Sequence, residues 1–238
     1  MNKRLSIIIS CVLSLALLVA CDDGDIYDKS IVHDGNGRTA KLTGHFSGLS
    51  NWPTSHYLAL AGFAKDNDFA VISKIVPSTS DDVDLVLSNI PDSVERVELC
   101  VLSRLRKRIY TLVSKSGDEI VTSDTILLEG SGDVSMFNII QEQVFNTTCV
   151  NCHGGSNFAG AGLYLTPGLS YSAMVGKPSV KLSGINIVEP GDASGSALHK
   201  VLRTDSTKTW RYDHTSEIVS HDVLNLIDSW ISNGAEEH

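Results

Sequence analysis

Positive charge is what this chain has least of: 19 Lys and Arg stand against 28 Asp and Glu in 238 residues, a net charge of −9. That balance argues against a nucleic-acid partner, because phosphate binding needs a concentrated basic surface. Cysteine is scarce as well. Five in a chain of this length are too few for a disulfide-built scaffold, and the odd number leaves at least one with another fate. No apolar run reaches the ~20 residues of a membrane-spanning helix. Shortage of apolar residues, the mark of disorder, does not apply: 42% hydrophobic and 20% charged residues are globular proportions. The length suits one large domain or two ordinary ones.

The first segment reads as a targeting signal. Asn2-Lys3-Arg4 is followed by an apolar stretch of roughly 15 residues from Leu5 to Val19, too short for a comfortable span and right for a secretory signal. It ends Leu18-Val19-Ala20-Cys21, which resembles the lipobox of bacterial lipoprotein signal peptides and implies cleavage after residue 20, with Cys21 lipidated. An ordinary signal with an incidental Cys is the alternative. Cys11 leaves with the signal. Acyl chains on Cys21 would anchor the protein at about 0.8 kcal/mol per buried methylene, without any spanning helix. Asp22-Asp23-Gly24-Asp25 opens an acidic, flexible tether over 21–38. It resembles surface-export signals of lipoproteins in Bacteroidota, although Asp here can also mean retention at the inner membrane, so the protein is expected to face the periplasm or the cell surface.

Residues 39–130 carry a period of two. Lys41–Ser47, Tyr57–Phe63, Phe69–Ile75, Asp82–Leu87, Arg96–Leu102, Ile109–Val113 and Thr122–Leu128 read as strands. About seven short strands at this spacing predict an all-β antiparallel sandwich of immunoglobulin-like or transthyretin-like type. Cys100 alternates with its neighbours and reads as a buried strand residue. The run Arg104-Leu105-Arg106-Lys107-Arg108 reads as a solvated strand end, or else as a dock for an acidic partner or the other domain.

After Gly130-Ser131-Gly132 the period becomes helical. Phe137, Ile140, Val144 and Phe145 line one helix from about Val134 to Phe145, capped by Asp133 or Ser135. Ser220 caps another, striped by Val223, Leu224, Ile227, Trp230 and Ile231, with a Val219–Leu224 staple and Gly234 at its end. Between them 154–191 is rich in Gly, Ser and Pro, and needs something other than regular structure to hold it.

Cys149-Val150-Asn151-Cys152-His153 is a C-x-x-C-H motif, the attachment signature of c-type haem. Two thiols three positions apart share one side of a helical turn and can add across the two vinyl groups of one porphyrin. The adjacent His153 then serves as proximal iron ligand through neutral imidazole. The competing readings are a structural disulfide, a thioredoxin-like pair and half a zinc site. A redox pair would open a helix in a βαβ unit, and zinc would want more cysteines, whereas none follows Cys152.

Around that motif the sequence is similar to the planctomycete-type cytochrome c domains. The likeness spans Met136 to Glu236 and rests on Cys149–Gly155, Gly162-Leu163-Tyr164-Leu165, Val188–Asp192, Ser196-Ala197-Leu198 and Ile227–Ala235. It implies a mainly α, class I-like cytochrome c domain over 131–238, its first and last helices crossing near the haem edge, and so a two-domain protein. Related domains carry a Met-Pro pair before the last helix, the Met being the sixth iron ligand. Here that stretch reads Trp210-Arg211-Tyr212-Asp213-His214-Thr215 and lacks Met, so His214 is the first candidate for the distal iron ligand. Met174, His199 and His221 are the alternatives, and an open iron is another. Arg203, Arg211, Lys177 and Lys181 are candidates for pairing with haem propionates.

The expected function is that of a lipid-anchored, single-haem electron carrier outside the cytoplasm, with enzymatic activity left open, an unidentified redox partner protein and the sandwich as spacer or dock. The alternatives are a haem sensor or peroxidase-like protein with an open distal site, and a surface protein whose sandwich binds a glycan or a protein. The sandwich has neither an aromatic-rich face nor a metal motif to favour the last.

Overall fold

Strand β2 (His56–Phe63) and strand β5 (Arg96–Ser103) are almost continuously apolar and buried along their length, as befits central strands covered on both faces. Strand β4 (Asp82–Ile90) instead alternates exposed and buried through Val83, Leu85 and Leu87, so one of its faces meets water. These patterns sort the strands into two sheets. With β1 (Arg38–Ser47), β3 (Ile72–Ile75), β6 (Arg108–Ser116) and β7 (Thr125–Asp133), the orders are β4-β1-β7 and β3-β2-β5-β6. The computed structural model describes residues 37–117, 120, 125–155, 157–204 and 212–238. The expected signal peptide, Cys21, the tether up to residue 36 and Arg211 lie outside the described residues, and the last expected tether residue, Arg38, already belongs to β1.

Strand β1 is the hinge of the first sheet. It pairs antiparallel with β4, Leu42 opposite Leu85, and parallel with β7, Leu42 opposite Leu128. The expected antiparallel sandwich is corrected on that point. The second sheet is antiparallel throughout. One of its faces, with Leu58, Leu60, Val97, Leu99 and Val101, enters the main core. The other carries Ala59, Ala61, Phe63, Cys100 and Leu102 in a smaller cluster. Cys100 is fully buried, which pushes its thiol pKa up. On the same side Glu98, 2% exposed, accepts from Arg108 Nη1 and Thr111 Oγ1, each at 2.7 Å.

The C-terminal half starts on a helical run: α1 (Met136–Ile140), a π-helical segment (Gln141–Cys149) and α2 (Val150–His153). Ser135 caps it, its hydroxyl accepting from Asn138 N at 3.3 Å. The run outlasts the expected helix by eight residues, and this extension carries the C-x-x-C-H motif. The wide π turn accompanies two competing local bonds, Thr147 Oγ1 to Gln143 O at 2.6 Å and Gln141 Nε2 to Asn146 Oδ1 at 2.7 Å. Helices α3 (Ser170–Met174), α4 (Ala197–Arg203) and α5 (His221–Ser232) follow. Ser220 caps α5, and Leu224, Ile227, Trp230 and Ile231 bury its stripe, but Val219 is 86% exposed and makes no staple.

The expectation of a sandwich followed by a mainly α cytochrome c domain is overturned. Gly35–His238 is one compact unit, and a single core runs from Leu42 and Leu128 through Phe137, Phe145 and Met174 to Trp230. The helices are short and separated by long loops; α3 stops at Met174, just before Gly176, whose positive φ leaves the helical region. The apolar faces of α1 and α5 meet, with Phe137 and Trp230 ring centroids 5.3 Å apart. The chain around them is tied to the sandwich. Trp52 Nε1 donates to Val134 O at 3.1 Å, Asn51 Nδ2 to His238 O at 2.6 Å and Asn233 Nδ2 to Asn51 O at 2.9 Å. The basic run sits at the β5–β6 turn, where Lys107 reaches Asp222 of α5 at 2.7 Å and Arg108 turns inward to Glu98 and Asp68. It joins the two halves of the fold.

Candidate functional site

The π segment delivers Cys149 half-buried and α2 delivers Cys152 to the surface, both as free thiols. Burial, the Glu217 carboxylate and Cys152 push the Cys149 thiol up to about 12. A thioredoxin-like nucleophile needs the opposite shift, so that reading loses its footing.

His153 ends α2 and is held from two sides. Its carbonyl accepts from Leu165 N at 2.8 Å, and its Nδ1 lies 3.1 Å from Leu163 O. A carbonyl can only accept, so Nδ1 carries the proton and Nε2 keeps its lone pair for a metal. The chain returns to His153 through a 3₁₀ turn (Gly160–Gly162). A Cβ on Gly160 would lie 3.2 Å from the imidazole Cε1, and glycine there lets the backbone pass close to the ring. Buried Gln141 secures the return, its Nε2 donating to Leu165 O at 3.0 Å and its Oε1 accepting from Ser170 Oγ.

The structure brings His214 to His153: their ring centroids are 6.4 Å apart and their planes inclined by 33°. Two imidazoles binding one metal ion end-on, at about 2.0 Å per nitrogen, have centroids roughly 6 Å apart. A separation of that size would let one iron bind both imidazoles, with the two thiols beside His153 in the chain. Burial, followed by the neighbouring His153, holds the His214 pKa below the ordinary histidine value, which keeps the neutral, ligating form. Among the described residues no three His, Cys, Asp or Glu converge. A porphyrin would bring nitrogen ligands of its own, so that His153 and His214 are the two iron ligands the protein would need to supply.

The other candidates sit elsewhere in the fold. Met174 is fully buried in the core. His199 Nδ1 bonds Asp228 Oδ1 at 2.8 Å, and Arg203 takes the other oxygen at 2.6 Å, which ties α4 to α5 and engages both candidates. His221 is exposed at the start of α5, and Lys177 and Lys181 are exposed on the loop after α3. Sequence reasoning did not find Tyr212 or Glu217, which flank His214 in space. Tyr212 stands edge-on to His214, centroids 5.0 Å apart, and its hydroxyl donates to Glu217 Oε1. Nor did it find the Leu163 carbonyl, a backbone group with no sequence signal.

A cleft of about 570 Å³ lies away from these residues, where Pro53, His56 and Arg104 of the sandwich face Asp222, Asp228 and Asn233. No described helix is long and apolar enough to cross a membrane. Comparison of the chain with protein-family models, with curated proteins and with solved structures gave no match.

Proposed function

We propose that the chain is an electron carrier that would hold one haem c through thioethers to Cys149 and Cys152, with His153 and His214 as its iron ligands. The observation that carries this reading is the 6.4 Å separation of those two imidazoles directly beside a C-x-x-C-H motif. Bound there, haem would supply a reversible one-electron change at iron. The protein's own part is to fix the imidazoles: Leu163 O sets the His153 tautomer, and the residues 212–217 hold His214 near it. This chemistry does not require the class I-like fold, since a site can be carried by unrelated architectures. Two histidine ligands favour a lower potential than a His–Met pair. They also weigh against the open-iron sensor or peroxidase reading. In this proposal the protein is exported and anchored by acyl chains on Cys21, facing the periplasm or the cell surface.

The test is a pyridine haemochrome assay on full-length protein made in a host that attaches haem c. Wild type should give one haem per chain and stain for haem on a denaturing gel, and the Cys149→Ala/Cys152→Ala variant should not. The ferric protein should be low-spin without the far-red band of Met ligation, and His214→Ala should become high-spin. Cys21→Ser should move the protein from the membrane to the soluble fraction. An unstained wild type would sink the haem reading.

A further inference from the structure

We infer that Tyr212 and Glu217 form a clasp that positions His214 and so sets how readily an outside ligand displaces it from the iron. The inference rests on the haem reading above and adds two residues to it.

His214 lies in an irregular loop before α5, where no helix or strand fixes its direction. A ligand on such a loop is held only as firmly as the loop's own contacts. Three contacts close around it. Glu217 N donates to His214 O at 3.1 Å, forming a turn. The Glu217 carboxylate accepts from the Tyr212 hydroxyl, and the Tyr212 ring packs edge-on against the imidazole. The chain thus leaves Tyr212, passes through His214 and is tied back to Tyr212 by Glu217. Asp213 stiffens the middle by accepting from Thr215 N at 2.9 Å and from Thr215 Oγ1 at 2.7 Å. Ile218, 9% exposed, roots the far end in the core. The hydroxyl–carboxylate bond joins two side chains without involving the backbone, and it is charge-assisted, hence strong for its kind. Tyr212 is half-exposed, so removing its hydroxyl leaves no buried group unsatisfied.

The test uses haem-loaded, full-length ferrous protein and carbon monoxide, whose binding waits for His214 to swing away. Losing a hydrogen bond to a charged group should raise the open population, and with it the binding rate, roughly tenfold. Tyr212→Phe and Glu217→Gln should each show this rise while the ferric spectrum stays low-spin. The double variant should be no faster than either single one, because both remove the same bond. A rise in neither single variant, or strictly additive rises, overturns the clasp. The underlying ligand assignment fails separately: His214→Ala would then leave spin state and binding rate at wild-type values. In haem-free Cys149→Ala/Cys152→Ala protein, adding Tyr212→Phe should speed hydrogen exchange at the Glu217 amide, and an unchanged rate would also overturn the clasp.

Discussion

At the scale of single residues, burial places Met174 in the core. Met174 has the chemistry of an iron ligand but is fully buried among apolar side chains. Met174→Ala should cost about 2 to 4 kcal/mol of stability by leaving a cavity, and should leave the iron's absorption spectrum alone. Denaturant unfolding and a visible spectrum of the same sample check both halves. A loss of low-spin character with little loss of stability would return Met174 to the ligand role. His56 yields a pH prediction. Only 4% exposed, it has a pKa lowered by burial, against a smaller opposing effect of Asp222. A histidine whose pKa falls on folding binds its proton more readily in the unfolded chain, so stability rises with pH where only the unfolded state is protonated. The destabilisation is absent above the ordinary value of 6.5 and grows as pH drops below it. Wild type should therefore lose stability between pH 7.5 and 5.5 faster than His56→Gln does. Parallel denaturation midpoints at the two pH values decide it, since the remaining histidines are common to both proteins.

At the scale of elements, the helical run carrying the motif depends on its first residue. Ser135, 2% exposed, caps α1 through Asn138 N and donates from the same hydroxyl to Glu237 O at 3.2 Å. Ser135→Ala removes both bonds and should cost about 1 to 2 kcal/mol, measurable as a lower unfolding midpoint. Haem attachment should persist, because the π segment is fixed separately by Gln141. The two end helices were legible from their 3.6-residue stripes and caps. The π segment was not, because it arises from side-chain bonds of Gln141 and Thr147 that compete with the regular ladder. The seven strands fall close to their expected places for a similar reason: alternation in β4 and unbroken apolar runs in β2 and β5 are local signals. The parallel β1–β7 pairing has no such signal, since it joins residues far apart in the chain.

At the scale of the whole molecule, the continuous core from the sandwich to α5 predicts cooperative unfolding. Calorimetry on residues 37–238 should show one transition. A fragment of residues 134–238 should lack a sharp transition of its own, because Val134, Phe137 and Trp230 share their packing with the sandwich. Two transitions, or a fragment that melts like the intact protein, would show instead that the halves are independent. Asn51→Ala removes the side-chain bond to His238 O, and Asn233→Ala removes the bond to the Asn51 carbonyl; each should lower the single transition as a whole, with no second one split from it.

Residue order alone carried the C-x-x-C-H motif at Cys149–His153, the absence of Met from Trp210 to Val219, the caps at Ser135 and Ser220, and the strand periodicities. These are matters of residue type and short spacing, which the backbone geometry of helices and strands converts directly into shared faces. Only the tertiary structure decided that residues 131–238 share one core with the sandwich. It alone placed His214 beside His153 across 61 residues of chain while tying His199 to Asp228. The reason is physical. A histidine's intrinsic chemistry is the same wherever it lies, and which one meets the motif depends on loop closure and burial of distant apolar faces, for which the neighbouring residues carry no code.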